Sequence, residues 1–181
     1  MNNYTMKIFE SQFNKCYEQL SLLGYKDELN KKQYQFQFMD SLSVLGRCRN
    51  HGGNRYTIYL NKHHVDISEE KDILNTVMHE LIHSLDNCMC HTGRWKSVAN
   101  IVNRAYGYNI TRTESDDEAY NAYYTATKLQ RAKYEIKCNC CGATAMYQRK
   151  SKAVTDISQH RGTYYCNKCK ARNDFTVTEL T

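Results

Sequence analysis

The feature that most limits what this chain can fold into is His79-Glu80-Leu81-Ile82-His83, set inside the amphipathic run "DISEEKDILNTVMHELIHSLDN". Ile73, Val77, Leu81 and Leu85 step by four, which predicts a buried central helix of roughly five turns. Asp66 or Ser68 is available as its N-cap, and Glu69 and Glu70 fall in the first turn, where the helix dipole favours negative charge. Residues four apart on a helix leave the same face one turn apart, so His79 and His83 can grip one tetrahedral ion. Glu80 then points toward the open side of that ion, where a carboxylate can take a proton from water. The rest of the domain has to be packed around this one helix.

A catalytic zinc needs a third protein ligand and an open position. His91 is the first choice, because the loop through "SLDNCMC" can fold it back toward the helix. The metzincin spacing asks for glycine at position 86 and histidine at 89, where Asp86 and Met89 stand, so that pattern is excluded. Glu114 and Glu118 remain as later carboxylate alternatives. Cys88 and Cys90 are the competing thiolates: either one added to three histidines closes the site and leaves a structural metal. Both are expected instead as small buried apolar residues.

Upstream, Ile8, Phe9, Phe13, Cys16, Tyr17, Leu20 and Leu23 recur at three- and four-residue steps and predict a helix that stops at Gly24. "YQFQFMD" and "RYTIYLNKHHVD" alternate apolar and polar side chains, as strands of a half-buried antiparallel sheet do. "VLGRCRN" is a third candidate strand, with a turn over residues 50–54. Downstream, Trp95, Val98, Val102 and Ala105 mark a helix from Arg94 to Gly107, and another is expected from Ser115 or Asp116 to about Lys133.

Nine cysteines invite a disulfide framework, but the number is odd, and Cys138-x-x-Cys141 and Cys166-x-x-Cys169 have the spacing of zinc knuckles. Carried on the ends of two hairpins, these pairs place four thiolates around one ion, with Cys140 spare and Gly142 easing the turn. Such a small ribbon depends on its metal to fold. Charge follows the same division. Residues 1–127 hold 14 Lys+Arg against 15 Asp+Glu, and residues 128–181 hold 11 against 4. A basic terminal segment points to a polyanion, with Arg149, Lys150, Lys152, Arg161, Lys168 and Lys170 as phosphate contacts and Tyr147, Tyr164 and Tyr165 as stacking faces. No run of about 18 apolar residues is present and the N-terminus lacks a secretory layout, so the expected setting is inside the cell with no membrane partner.

"HELIH", "HTGRWK", "YGYNITRT" and the terminal "KCNCCG" and "YYCNKC" together resemble the SprT-like zinc metalloproteases, relatives of the Spartan DNA-protein crosslink protease. The resemblance implies an α+β fold: a zincin-like metalloprotease domain over residues 1–133, with a helix, a small antiparallel sheet, the His79–His83 helix and further helices, followed by a β zinc ribbon over 134–181. It implies two zinc ions. His79, His83 and His91 would hold the catalytic one, with Glu80 as base, and Cys138, Cys141, Cys166 and Cys169 the structural one. It further implies a cytoplasmic, nucleoid-associated, monomeric endopeptidase that acts on proteins bound or crosslinked to DNA, the DNA being single-stranded or read without sequence preference. Two other functions stay open at this level: a non-enzymatic DNA-binding protein with two structural zincs, and a peptidase acting on free proteins. Tyr106, Tyr108 and the tyrosines of "AYNAYY" are the candidates for stabilising an oxyanion.

Overall fold

The computed structural model describes residues 5–112 and 118–180. The chain divides into two compact units, Met1–Asn121 and Ala122–Thr181.

In the first unit, α1 (Met6–Leu20) buries Phe9, Phe13, Cys16 and Leu20. Ile8, expected on that face, is 39% exposed; with Phe9 at the centre of the buried stripe, its neighbour is turned about 100° away. Gly24 breaks the helix as expected, with a φ of 95° inside a wide turn over Ser21–Tyr25 that leads into a short α2 (Lys26–Leu29).

Three strands follow, β1 (Gln33–Met39), β2 (Gly46–Asn50) and β3 (Arg55–Asn61), in the order β1-β3-β2. β2 and β3 form the expected antiparallel pair, but β1 runs parallel to β3, with Gln33 opposite Arg55, so the sheet is mixed rather than antiparallel. The cause is the connection over residues 40–45, which carries the chain past the end of β3 to its far edge. Buried Asn61 fixes that passage: its amide donates to the carbonyls of Ser41 (2.6 Å) and Val44 (2.8 Å), and its backbone N–H donates to Leu45 (2.8 Å).

The same residue ends the strand. Asn61 Oδ1 accepts the His63 N–H at 3.0 Å and caps α3 (Lys62–Ile67), a helix where "NKHHVD" was expected to continue the strand. Asp66 therefore lies inside α3 and Ser68 caps its C-terminal end, so neither is the N-cap of the central helix. That helix, α4 (Glu70–His83), is entered through Glu69 and has 14 residues, closer to four turns than five. Val77, Leu81 and Ile82 are fully buried among Phe9 and Phe13 of α1, Ile58 and Leu60 of β3, and Trp95, Val98 and Val102 of α5 (Arg94–Tyr106). Each such side chain contributes about 1.5–3 kcal/mol by leaving water. Gly107 ends α5 in the left-handed region (φ 73°), as expected of a C-terminal glycine, while Ala105 is exposed. Helix α6 is described over Glu118–Gln130; the expected starts at Ser115 and Asp116 lie outside the described residues.

The second unit holds β4 (Tyr134–Cys138), β5 (Thr144–Tyr147) and β6 (Phe175–Glu179) in an antiparallel sheet ordered β5-β4-β6. One knuckle sits at the turn of the β4–β5 hairpin. The second is not on a full hairpin: it is flanked by a single bridge, Tyr165 to Arg172, with Lys170 and Asn173 at positive φ curling the chain too tightly for a ladder. Between the knuckles lies an unanticipated helix, α7 (Lys152–Ser158), whose N-cap Ser151 accepts the Val154 N–H at 3.3 Å. Among the described residues no helix is long and apolar enough to cross a membrane.

Candidate metal centres

His79 and His83 leave the buried face of α4, and the loop after the helix returns His91 to them. Their Nε2 atoms form a triangle with sides of 2.8 Å (His79 to His91), 3.0 Å (His83 to His91) and 3.2 Å (His79 to His83). Each neutral Nε2 is either a donor or an acceptor, so the three edges cannot all be hydrogen bonds at once, whereas one shared cation satisfies all three lone pairs. A tetrahedral zinc with bonds of 2.0–2.1 Å would set such nitrogens about 3.3 Å apart, close to what is found. The opposite ring nitrogens suit the same purpose. His83 Nδ1 lies 2.7 Å from the Cys88 carbonyl, which fixes the tautomer that leaves Nε2 free to ligate. The His79 ring is likewise held by the Thr111 backbone.

Burial lowers the pKa of all three rings. His79 falls to about 3 through burial and then the charges of His83 and His91. His83 is lowered by burial, against the Cys88 carbonyl, and His91 by burial and then the positive charge of Arg112. The rings are thus neutral in the metal-free fold at pH 7, the form that binds a metal. Trp95 supplies the wall: its ring centroid lies 4.8, 5.5 and 4.7 Å from those of His79, His83 and His91.

Among the described residues the first cluster contains these three histidines and no sulfur or carboxylate. Cys88 is fully buried, as expected, and its contribution is the backbone carbonyl rather than the thiol. Cys90 is exposed, contrary to expectation, because it precedes His91 on the outward turn of the loop. Glu118 is outside the cluster, and Glu114 lies outside the described residues.

Glu80 is 5% exposed and is packed against β2. A Cβ on Gly46 would stand 2.8 Å from Glu80 Cγ, 3.0 Å from its Oε1 and 2.7 Å from Thr76 Cγ2. The absent side chain at Gly46 is the space Glu80 occupies. Thr76 cannot easily give way, because its Oγ1 is 3.0 Å from Nε2 of buried His64, whose Nδ1 is 2.7 Å from Ser68 Oγ. Tyr106 and Tyr108 are committed elsewhere: both hydroxyls donate to Gln19, at 3.1 and 2.7 Å. Tyr120 is buried and donates to the Ser41 carbonyl at 3.0 Å.

The second cluster is Cys138, Cys141, Cys166 and Cys169, all four sulfurs within 4.8 Å of one another. Cys138 to Cys169 is 3.7 Å and Cys141 to Cys166 is 3.6 Å, against about 3.8 Å for thiolates around a tetrahedral zinc. Backbone N–H groups of Cys169 and Lys168 hold the Cys166 thiol down at about 6, so it is poised as a thiolate ligand. Cys140 is exposed and outside the cluster.

Of the proposed polyanion contacts, Arg149, Lys150, Lys152, Arg161, Lys168 and Lys170 are all exposed. Lys152 is ion-paired with Asp156, and that carboxylate also accepts the Tyr164 hydroxyl at 2.7 Å. Tyr147 and Tyr164 are half-buried, whereas Tyr165 is 58% exposed. Sequence reasoning placed Trp95 on the buried face of α5 but not against the three rings, and it missed Gly46, Glu28 and Arg94, since no spacing marks a residue that acts by making room or by closing a loop.

Paired histidines on a helix, a third from the following loop and a buried neighbouring glutamate define a metalloprotease-like protein. The model of the SprT-like family matches residues 12–114, more than half of the chain and all of this first site. The chain belongs to the SprT-like family. Among curated proteins no match is found.

Proposed function

We propose that this protein is a zinc-dependent endopeptidase, tethered to DNA by its C-terminal ribbon, that cleaves proteins bound or crosslinked to DNA. The observation that carries the peptidase reading is the three-histidine cluster with no fourth protein donor among the described residues, next to a buried glutamate on the same helix. His79, His83 and His91 would hold the catalytic zinc, and the four cysteines the structural one. When bound, the catalytic zinc supplies Lewis acidity, which lowers the pKa of water and polarises the scissile carbonyl. Glu80 takes the proton from the attacking water and delivers it to the leaving amine. Gly46 and Thr76 confine the Glu80 side chain, and Trp95 keeps the three rings in place and water away from their inner face.

The DNA part rests on charge and exposure. Arg149, Lys150, Lys168 and Lys170 are exposed without an ion-pair partner among the described residues, and Tyr165 offers an open ring. Tyr165 is a better stacking face than Tyr164, whose hydroxyl is held by Asp156. Tethering would raise the local concentration of DNA-bound substrates without a sequence-specific cleft. The rival reading, a structural first zinc closed by Cys88 or Cys90, is disfavoured because neither sulfur joins the histidines.

The test is cleavage of casein or histone with and without single-stranded DNA. Glu80→Gln is expected to retain both zincs and lose cleavage, including self-cleavage. A Glu80→Gln protein with full, DNA-stimulated proteolysis overturns the reading.

A further inference from the structure

The segment that delivers His91 begins after α4 and ends at α5, and both of its ends are held by one side chain. Glu28, on α2, accepts the backbone N–H of Asp86 at Oε1. The same carboxylate receives the Arg94 guanidinium as a fork, Nη1 to Oε1 at 3.1 Å and Nη2 to Oε2 at 2.7 Å. Arg94 Nη1 also donates to the Asp86 carbonyl at 2.6 Å, which ties residues 86 and 94 directly to each other. Two supports flank this closure. Lys32, its side chain 2% exposed, pairs with Asp86 at 2.7 Å, and the Tyr25 ring lies 5.8 Å from Arg94 Cζ. Glu28's side chain is 16% exposed and Arg94's 36%, so solvent screens the fork in part, and its value lies in the bidentate geometry more than in the charge.

We propose that Glu28 and Arg94 are positioning residues for the third metal ligand, closing the base of the loop so that His91 Nε2 is already beside His79 and His83 before a metal arrives. Two ligands on a rigid helix are placed by α4 alone. The third sits on a segment with no regular structure, and without a closure the metal has to order that segment itself, which weakens binding. A bidentate Arg–carboxylate pair supplies both strength and a defined angle, which one lysine bond cannot. The closure acts on the loop, remote from the reacting atoms, and its effect is read in metal affinity.

This inference rests on the histidine cluster being a zinc site, and zinc itself is the probe. The full chain is titrated in competition with a fluorescent chelator; the four-thiolate site serves as an internal control. The parent is expected to bind two zinc ions. Glu28→Gln is expected to weaken the histidine site by about 10–100-fold, the range for residues that orient metal ligands, and to leave the thiolate site unchanged. In a His91→Ala background the same substitution should cost less than about threefold, since the ligand it positions is gone. If Glu28→Gln does not fold, as judged by Trp95 fluorescence, Arg94→Lys takes its place: it keeps the charge, loses the fork and carries the same expectation. An unchanged histidine-site affinity, or an equal loss with and without His91, overturns the inference. A parent chain that binds one zinc only, at the cysteines, overturns the zinc reading of the histidines and the inference with it.

Discussion

At Gly46 a single methyl group would displace Glu80, the base of the proposed reaction. The residue needs no unusual backbone angle; what it provides is space, since a Cβ there would overlap Glu80 Cγ and Thr76 Cγ2 at 2.8 and 2.7 Å. Thr76 is held by His64, and both Cγ and Oε1 of Glu80 lie in the path of the new methyl, so the Glu80 carboxylate has to move. Gly46→Ala is expected to lower kcat for proteolysis by about 10²-fold, the usual cost of misplacing a catalytic group by about 1 Å. Zinc content should not change, because the atoms nearest the new methyl belong to Glu80 and Thr76 and not to the three histidines. Thr76→Ser, which removes Cγ2 and keeps the hydroxyl to His64, should not restore activity in the Gly46→Ala protein. Restoration would mean that crowding at Thr76, and not displacement of Glu80, is the cause.

At the scale of elements, α4 and its following loop carry all three rings, and their burial makes the metal-free fold sensitive to acid. The folded-state pKa of His79 is about 3, and those of His83 and His91 are also lowered, against about 6.5 in an unfolded chain. A depressed folded pKa means that below about 6.5 the unfolded chain binds more protons than the folded one. Stability is therefore greatest above 6.5 and is lost progressively as pH falls toward 3. Trp95 is the only tryptophan and touches all three rings, so its fluorescence reports this unit. The urea midpoint of metal-free protein should fall between pH 7.5 and 5, a window above most carboxylate titrations. A midpoint that stays level across it would show that the rings are not held neutral by burial. These elements also show what a sequence discloses. The buried stripes of α1, α4 and α5, the spacing of His79 and His83, and the two cysteine pairs are periodic, and periodicity can be read without a structure. Alternation in β1 and β3 tells which side chains share a face but not which way a neighbouring strand runs. The parallel pairing hangs on one buried amide, Asn61, which also starts α3. Glu28 and Arg94 are 66 residues apart and meet through tertiary folding alone.

At the scale of the whole chain, charge is unevenly spread: the first 127 residues are nearly balanced, and the last 54 carry 11 Lys+Arg against 4 Asp+Glu. If the basic end binds DNA through phosphates, affinity should fall linearly with the logarithm of salt concentration, with a slope of about −0.7 per contact on a single strand. Arg149, Lys150, Lys168 and Lys170 are exposed cations with no ion pair among the described residues, so they have charge to give. Replacing all four by alanine in the full chain should weaken binding to single-stranded DNA and shallow the slope by about 3. Lys152 should contribute less, because Asp156 already neutralises it. Tyr165→Ala should behave differently: a stacking face carries no counterions, so its loss should cost about 1–3 kcal/mol at every salt concentration and leave the slope alone. Fluorescence anisotropy of a labelled oligonucleotide across a salt series separates the two effects. If the fourfold variant keeps the parental slope, the ribbon's charge is a solvated surface, and whatever brings substrates to the proposed peptidase site recognises protein rather than DNA.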